Sequence, residues 1–335
     1  MSDQSRVRIK DIAEELGLST ATVSNVIHGK TGRVSDATIR RVQQCLEERR
    51  YIPSMAGILL SRSASGIIGV FINDHEKYEG HTLEDAFIAS ALNHLAVCIE
   101  DSGCVMMVRK ATDPNGILTF SSMWNMDGVV VIGFCLQDYR YLREHMRIPF
   151  VVYDGLGENP DRVVNITVDN RDGGRQVGSL FRKCRCRQAV CLADNETGVD
   201  KARIAGFREA FGTDRTQTLL IPMKRQERFD FYRAHREVFQ RIDGVFAVSD
   251  VYAAEIMAYL ASEGRRVPED IVVAGFDDMP LCGIVHPTLT SVRQDNRRRA
   301  EVAVRMLKEL KEHQETVSTV CLPVTLIERD STRRT

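Results

Sequence analysis

Arg8-Ile9-Lys10-Asp11-Ile12-Ala13-Glu14-Glu15-Leu16-Gly17-Leu18-Ser19-Thr20-Ala21-Thr22-Val23-Ser24-Asn25-Val26-Ile27-His28-Gly29 is the stretch that decides how this chain is read. Ile9, Ile12, Ala13 and Leu16 stand at i, i+3, i+4 and i+7, so they share one helix face. Gly17 follows at once and tolerates the positive φ of a helix stop. Ser19 is a good N-cap for a second helix, in which Val23, Val26 and Ile27 make the apolar stripe. The opposite face carries Thr20, Ala21, Ser24, Asn25 and His28, short side chains of the kind that reach base edges in a major groove. A third helix is expected from the Ser35-Asp36 cap, packing through Ile39, Val42 and Leu46, with Tyr51 closing the small core. A helical hairpin with no DNA role would show the same stripes, so the residues that follow carry weight.

Those residues are Tyr51-Ile52-Pro53-Ser54, a short linker, and then Met55-Ala56-Gly57-Ile58-Leu59-Leu60, enough for one or two helical turns. Isolated helices below about 12–15 residues are marginal in water, so this one needs DNA and a second copy to order it. With Asp11-Ile12-Ala13, Gly17-Leu18-Ser19, Thr22-Val23-Ser24, Val34-Ser35 and Tyr51-Ile52-Pro53, residues 9–60 resemble the headpiece of the LacI/GalR family of bacterial transcription regulators. The resemblance implies that Thr20, Ala21 and Asn25, with His28 beside them, read bases. It also implies that Met55 and Leu60 enter the minor groove, Leu60 as a wedge that trades unstacking for a bent duplex. The expected phosphate contacts are Arg8, Ser19, Thr22, Ser24 and Lys30, although any one of these is equally an ordinary solvated side chain. Gly57 and Ile58 depart from the Ala and polar residue usual in the family. Gly costs about 1 kcal/mol in a helix relative to Ala, so the hinge helix is expected to be harder to form.

Charge agrees. Residues 1–62 hold 10 Lys+Arg against 7 Asp+Glu, and the remainder 35 against 39, so a basic head sits on a mildly acidic body. A charge of +3 suits specific docking, with salt-dependent phosphate contacts, better than coating of any nucleic acid. At 335 residues, about 270 remain after the head, enough for one large or two medium α/β lobes. No apolar run reaches membrane-spanning length and the start of the chain is polar, so the protein is expected in the cytoplasm. The nine cysteines include no Cys-x-x-Cys pair. Cys184, Cys186 and Cys191 are the nearest set. No histidine completes a zinc site there, and a metal or redox role is the lesser reading. No cofactor and no metal are expected.

Along the body, apolar runs at 66–72, 104–108, 128–133, 149–153, 164–168, 188–193, 244–248 and 271–276 alternate with helical stretches such as 82–101. This rhythm predicts an α/β body of doubly wound parallel sheets, in which ligands bind at the carboxyl ends of strands. Asn73, Asp74, Asp154, Asp194, Asn195, Asp250, Asp277 and Asp278 stand at such ends; a helix N-cap is the competing role for each Asp. The resemblance continues through Asp127-Gly128-Val129-Val130-Val131, Arg203-Ile204-Ala205-Gly206-Phe207, Ser249-Asp250, Val267 to Asp278 and Pro287-Thr288-Leu289-Thr290-Ser291-Val292. It implies two periplasmic-binding-protein-like lobes with an effector between them, contacted by Arg203, Asp250 and Asp277. Chemically, Arg offers a forked donor set and carboxylates accept from sugar hydroxyls. The expected domains are a headpiece at 1–52, a hinge at 53–65, a first lobe at 66–162 plus 296–323, and a second lobe at 163–295 plus 324–335. Two stretches depart from the family pattern: Asn73 to His81, which lacks its aromatic pair, and Arg182-Lys183-Cys184-Arg185-Cys186-Arg187. His75 and His81 in the first are either ligand contacts or plain solvated loop residues.

An enzyme would need a nucleophile, cofactor loop or metal set, and the chain shows no G-x-G-x-x-G, P-loop or G-x-S-x-G. A solute receptor shares the lobes but needs export and has no use for a DNA head. The expectation is therefore a regulator, by default a repressor, binding a pseudo-palindromic double-stranded operator and controlled by a sugar-like small molecule. A protein corepressor such as a phosphocarrier is the alternative. No heptad pattern follows Ile327, which points to a homodimer rather than a tetramer.

Overall fold

The computed structural model describes residues 7–52, 64–155, 164–312 and 319–333. Its contacts divide the chain into two units, Met1–Ser65 and Gly66–Thr335. The hinge residues Met55, Gly57 and Leu60 lie outside the described residues.

In the first unit, α1 (Ile9–Leu16), α2 (Thr20–Ile27) and α3 (Asp36–Glu48) enclose Ile12, Ala13, Val23, Val26, Val42 and Cys45. The punctuation acts as its chemistry requires. Gly17 takes φ 64°, and Leu18 N–H reaches back to the Ala13 carbonyl at 2.9 Å. Ser19 and Ser35 cap α2 and α3 by accepting from Thr22 N–H and Thr38 N–H. Arg41 donates to the Leu16 carbonyl and Arg49 pairs with Glu15 at 2.7 Å, tying α3 to α1.

The second unit holds two sheets. The first is wholly parallel: β1 (Ile67–Asn73), β2 (Val105–Ala111), β3 (Gly128–Ile132), β4 (Phe150–Tyr153), β5 (Val164–Val168) and β11 (Thr319–Leu322), in the order β11-β5-β4-β3-β1-β2. The second contains β6 (Ala189–Ala193), β7 (Thr216–Leu220), β8 (Gly244–Ala247), β9 (Val272–Asp277), β10 (Thr290–Gln294) and β12 (Val324–Ile327), in the order β12-β10-β9-β8-β6-β7. There β12 runs antiparallel to β10, at the edge of an otherwise parallel sheet. Because β5 pairs with β4, the chain leaves the first lobe after Val168, not at 162–163 as the sequence suggested.

Helices cover both faces of each sheet, which is why strands such as β1 and β3 are buried almost end to end. On the first sheet, α4 (Ala86–Asp101) and α12 (Asn296–Glu312) bury Ala91, Leu95, Ala303 and Met306, while α5 (Pro114–Met123) and α6 (Leu136–His145) cover the other face. On the second, α7 (Asn170–Lys183) and α8 (Gly198–Phe211) contribute Val177, Phe181, Phe207 and Phe211. Opposite them lie α9 (Arg225–Ala234), α10 (Arg236–Arg241) and α11 (Asp250–Ser262). The α7–α8 pair packs backbone to backbone. A Cβ on Gly174 would stand 1.9 Å from the Arg203 carbonyl oxygen, and one on Gly206 1.8 Å from that of Arg171. Only glycine admits that approach, and it fixes the part of α8 that carries Arg203.

Candidate effector cleft and DNA-reading surface

The carboxyl ends of β1, β3 and β4 from one lobe and of β6, β8 and β9 from the other border a cavity of about 550 Å³. This falls within the roughly 300–1,000 Å³ of small-molecule sites. Of the strand-end residues, Asn73, Asp154, Asp194, Asn195, Asp250 and Asp277 line it, and Arg203 joins them from α8. Asp74 does not: its carboxylate accepts from Thr82 and pairs with Lys110 at 3.0 Å, fastening the following loop to the first lobe.

Arg203 is the best-anchored member. Its Nε donates to Asn170 Oδ1 at 2.8 Å and its Nη1 to the Val248 carbonyl at 2.6 Å. The guanidinium lies 3.8 Å over the Phe276 ring, and Nη2 is 3.8 Å from Asp277 Oδ1. Asp277 holds φ at 110° and Asp154 at 63°, left-handed backbone that costs a non-glycine residue on the order of 1–3 kcal/mol and clusters at ligand sites. Burial drives the Asp277 carboxyl well above its ordinary range, against the pull of Arg203.

Asp250 has a different role. Its side chain is fully buried at the start of α11, Oδ1 accepting from Ser291 Oγ at 2.5 Å and Oδ2 from Met279 N–H at 2.8 Å. Both oxygens are thus engaged in holding the turn after β9, and burial raises its pKa to about 6. Asn73 donates to the Gly133 carbonyl at 2.9 Å, bracing β1 against β3.

The loop after β1 adds a residue that the sequence reading passed over. Lys77 lines the cavity and reaches across it, its Nζ 3.5 Å from Asp194 Oδ2 of the opposite lobe. Asp194 also accepts from Tyr252 Oη at 3.0 Å and from Asn195 Nδ2 at 2.8 Å. Burial pushes Asp194 up, but the Lys77 charge and these hydrogen bonds outweigh it, and the net shift is downward. Asn195 donates equally to Asp200, whose carboxyl burial lifts to about 6. His75 lines the cavity and accepts from Lys77 N–H, whereas His81 is a solvated loop residue paired with Glu84. The signal for Lys77 was its place in a loop that departs from the family pattern.

On the headpiece, Thr20, Ala21 and Asn25 are exposed and His28 is half-buried, all away from the Val23–Val26 stripe. Arg8, Ser19 and Lys30 are exposed, while Thr22 and Ser24 are half-buried. The Ser19 hydroxyl is partly committed to capping and to Thr22 Oγ1 at 2.8 Å. None of the nine cysteines forms a disulfide, and no group of metal-ligating side chains comes together among the described residues.

Residues 8–54 match the family described as bacterial regulatory proteins, lacI family, and residues 180–332 match a periplasmic binding protein-like domain. The chain is 29% identical to the ribose operon repressor of Halalkalibacterium halodurans over 97% of each sequence. It is 26% identical to the transcriptional regulator CelR of Thermobifida fusca over 92% of each. Among solved structures, the lac repressor dimer bound to operator and the anti-inducer ONPF superposes with a TM-score of 0.84 at 21% identity, covering 98% of this chain and 99% of that one.

Proposed function

The chain belongs to the LacI family of bacterial regulatory proteins and is a DNA-binding transcriptional regulator, and from that premise we propose that it is a cytoplasmic homodimeric repressor of a pseudo-palindromic operator, controlled by a neutral, hydroxyl-rich small molecule in the interlobe cavity. The observation that carries the effector reading is the wall of that cavity. Asp154 lines it from one lobe and Asp277, with Arg203 beside it, from the other, so a molecule bound between them touches both lobes at once. A ligand that contacts both lobes distinguishes one lobe arrangement from another, and its leverage on DNA binding equals that difference in affinity. A built cavity of this kind also favours a small molecule over a protein corepressor.

Charge narrows the class. Among the described residues the wall carries the carboxyl groups of Asp85, Asp154, Asp194, Asp200, Asp250 and Asp277 against Lys77, Arg203 and Arg228. Arg228 is already held by Glu255 at 2.8 Å. Lys77 is likewise paired with Asp194 and Arg203 with Asp277, so a phosphate or carboxylate ligand would have to displace an existing partner, whereas hydroxyl groups find acceptors. Relatives fit the class: solved structures include a CelR–cellobiose complex and a LacI-family regulator with bound ribose.

The test is a thermal-shift screen of the full chain against neutral mono- and disaccharides, nucleosides and sugar phosphates, followed by operator binding with each hit. A neutral sugar is expected to raise Tm in the wild type and not in Arg203→Ala or Asp277→Ala. Binding at 100 times Kd stabilises by about 2.7 kcal/mol, well within reach of the method. Hits confined to phosphorylated sugars, or hits insensitive to both substitutions, would refute the reading.

A further inference from the structure

Asp154 and Asp277 face the cavity from different lobes, and a line of side chains runs between them. Gln294, the last residue of β10 in the second sheet, donates through Nε2 to Asp277 Oδ1. Its Oε1 accepts from Arg299 Nη2. Arg299 sits on α12, which packs on the first sheet, and its Nη1 lies 3.6 Å from Asp154 Oδ1. The path from Arg203 through Asp277, Gln294 and Arg299 to Asp154 therefore crosses from lobe to lobe.

Arg299 is not itself on the cavity wall; Asp154, Tyr153 and Phe87, which stand against it, are. Its side chain is fully buried, with its guanidinium 5.2 Å from the Tyr153 ring and 5.6 Å from that of Phe87. Among the described residues Nε and Nη1 find no hydrogen-bond partner, and neither does Asp154 Oδ1. Its neighbours Arg297 and Arg298 behave quite differently, lying exposed and paired with Glu301. Fold stability does not account for Arg299, because an apolar side chain of similar volume would fill the same space without the cost of stripping water from a charge. What an apolar side chain could not do is hold Gln294 and Asp154 together.

We propose that Arg299 is a positioning residue: with Gln294 it joins Asp154 and Asp277 into one unit, so that a change at either carboxylate is transmitted to the opposite lobe. The proposal rests on the effector reading for its purpose but not for its test. Hydrogen exchange of the full-length, sugar-free protein near pH 7.5 reads the two ends separately. The Asp154 amide is bonded to the Ile166 carbonyl at 2.8 Å and the Asp278 amide to Ser291 Oγ at 2.9 Å. Arg299→Met is expected to accelerate exchange roughly tenfold in segments 150–155 and 272–279 together, because the shared path is broken. A rise confined to 150–155, in the lobe that carries the substitution, would overturn the proposal. Gln294→Leu repeats the test from the other lobe and serves if Arg299→Met fails to fold; acceleration at 150–155 supports the coupling, and acceleration at 272–279 alone overturns it. Failure of every sugar to bind would end the effector reading and leave this exchange pattern standing, so the two can fail independently.

Discussion

Gly174→Ala tests whether the α7–α8 contact positions the cleft. On an exposed helix the change would gain about 1 kcal/mol in helix propensity. Here the new methyl would stand 1.9 Å from the Arg203 carbonyl oxygen and 2.9 Å from the Phe207 nitrogen, both backbone atoms that no rotamer change can clear. The helices must separate by more than about 1 Å, and overpacking of this kind costs typically 1–3 kcal/mol or more. Allowing for the propensity gain, we expect a net loss of about 2 kcal/mol, or a fall in Tm of roughly 4–8 °C for a unit of this size. The shift also moves Arg203 relative to Asn170 and Val248, which now hold it at 2.8 and 2.6 Å, so effector response should weaken more than fold stability alone would explain. Calorimetry of the full chain measures the first effect, and operator release by a thermal-shift hit measures the second. Gly116→Ala is the control, since its Cβ would meet nothing closer than 3.4 Å and should be neutral or stabilising. Equal Tm values for the wild type and Gly174→Ala would refute the argument.

Three further outcomes follow from the site and the headpiece. Asp200 has its pKa raised to about 6 in the folded protein, so its ionisation opposes folding fully above that pH and the penalty fades as pH falls toward its unfolded value near 3.8; Asp200→Asn should therefore raise Tm at pH 7.5, by at most about 3 kcal/mol in stability, and lose most of that advantage at pH 4.5. Lys77→Met removes the cation that holds Asp194 low; with the Asp194 carboxylate buried and Lys77 about one-third exposed, the change should cost on the order of 1–3 kcal/mol at pH 7, seen as a Tm loss that persists to about pH 4 and shrinks only as pH falls below Asp194's ordinary value near 3.8, and a loss undiminished at pH 2 would show that the lysine acts by packing instead. Asn25→Ala should weaken operator binding by about 1–3 kcal/mol and relax base preference at one position per half-site, measured by selection from a random duplex library; a uniform loss across sequences would reassign Asn25 to the phosphate backbone.

The headpiece was legible because each of its decisions is local. Ser19, Ser35 and Gly17 act within four residues of their own position, and the apolar stripes declare the core. The body's buried strands were legible for the same reason, as unbroken apolar runs. Four strands escaped. β7 reads Thr216-Gln217-Thr218-Leu219-Leu220 and sits at a sheet edge, and β10, β11 and β12 are four or five residues long with polar positions interspersed. Such segments become strands through their neighbours, which sequence periodicity does not record. The cleft was half legible. Strand ends predicted Asp154, Asp194 and Asp277, but not that Asp250 would spend both oxygens on Ser291 and Met279, nor that Asp74 would turn toward Lys110. Arg299 left one trace: it stands four and seven residues before Ala303 and Met306 on the buried stripe of α12, unlike Arg297 and Arg298.

The threading of the chain has a consequence for its synthesis. The headpiece is complete by residue 52, whereas the first lobe borrows α12 and β11 from residues 296–322, and β12 of the second lobe comes later still. A growing polypeptide therefore carries a finished DNA-reading module through the synthesis of more than 260 further residues, while neither controlling lobe can complete its sheet until β11 and β12 emerge. A ribosome stalled anywhere in that interval would release a reader with no governor, and only the weakness of a single headpiece on DNA would keep such fragments silent.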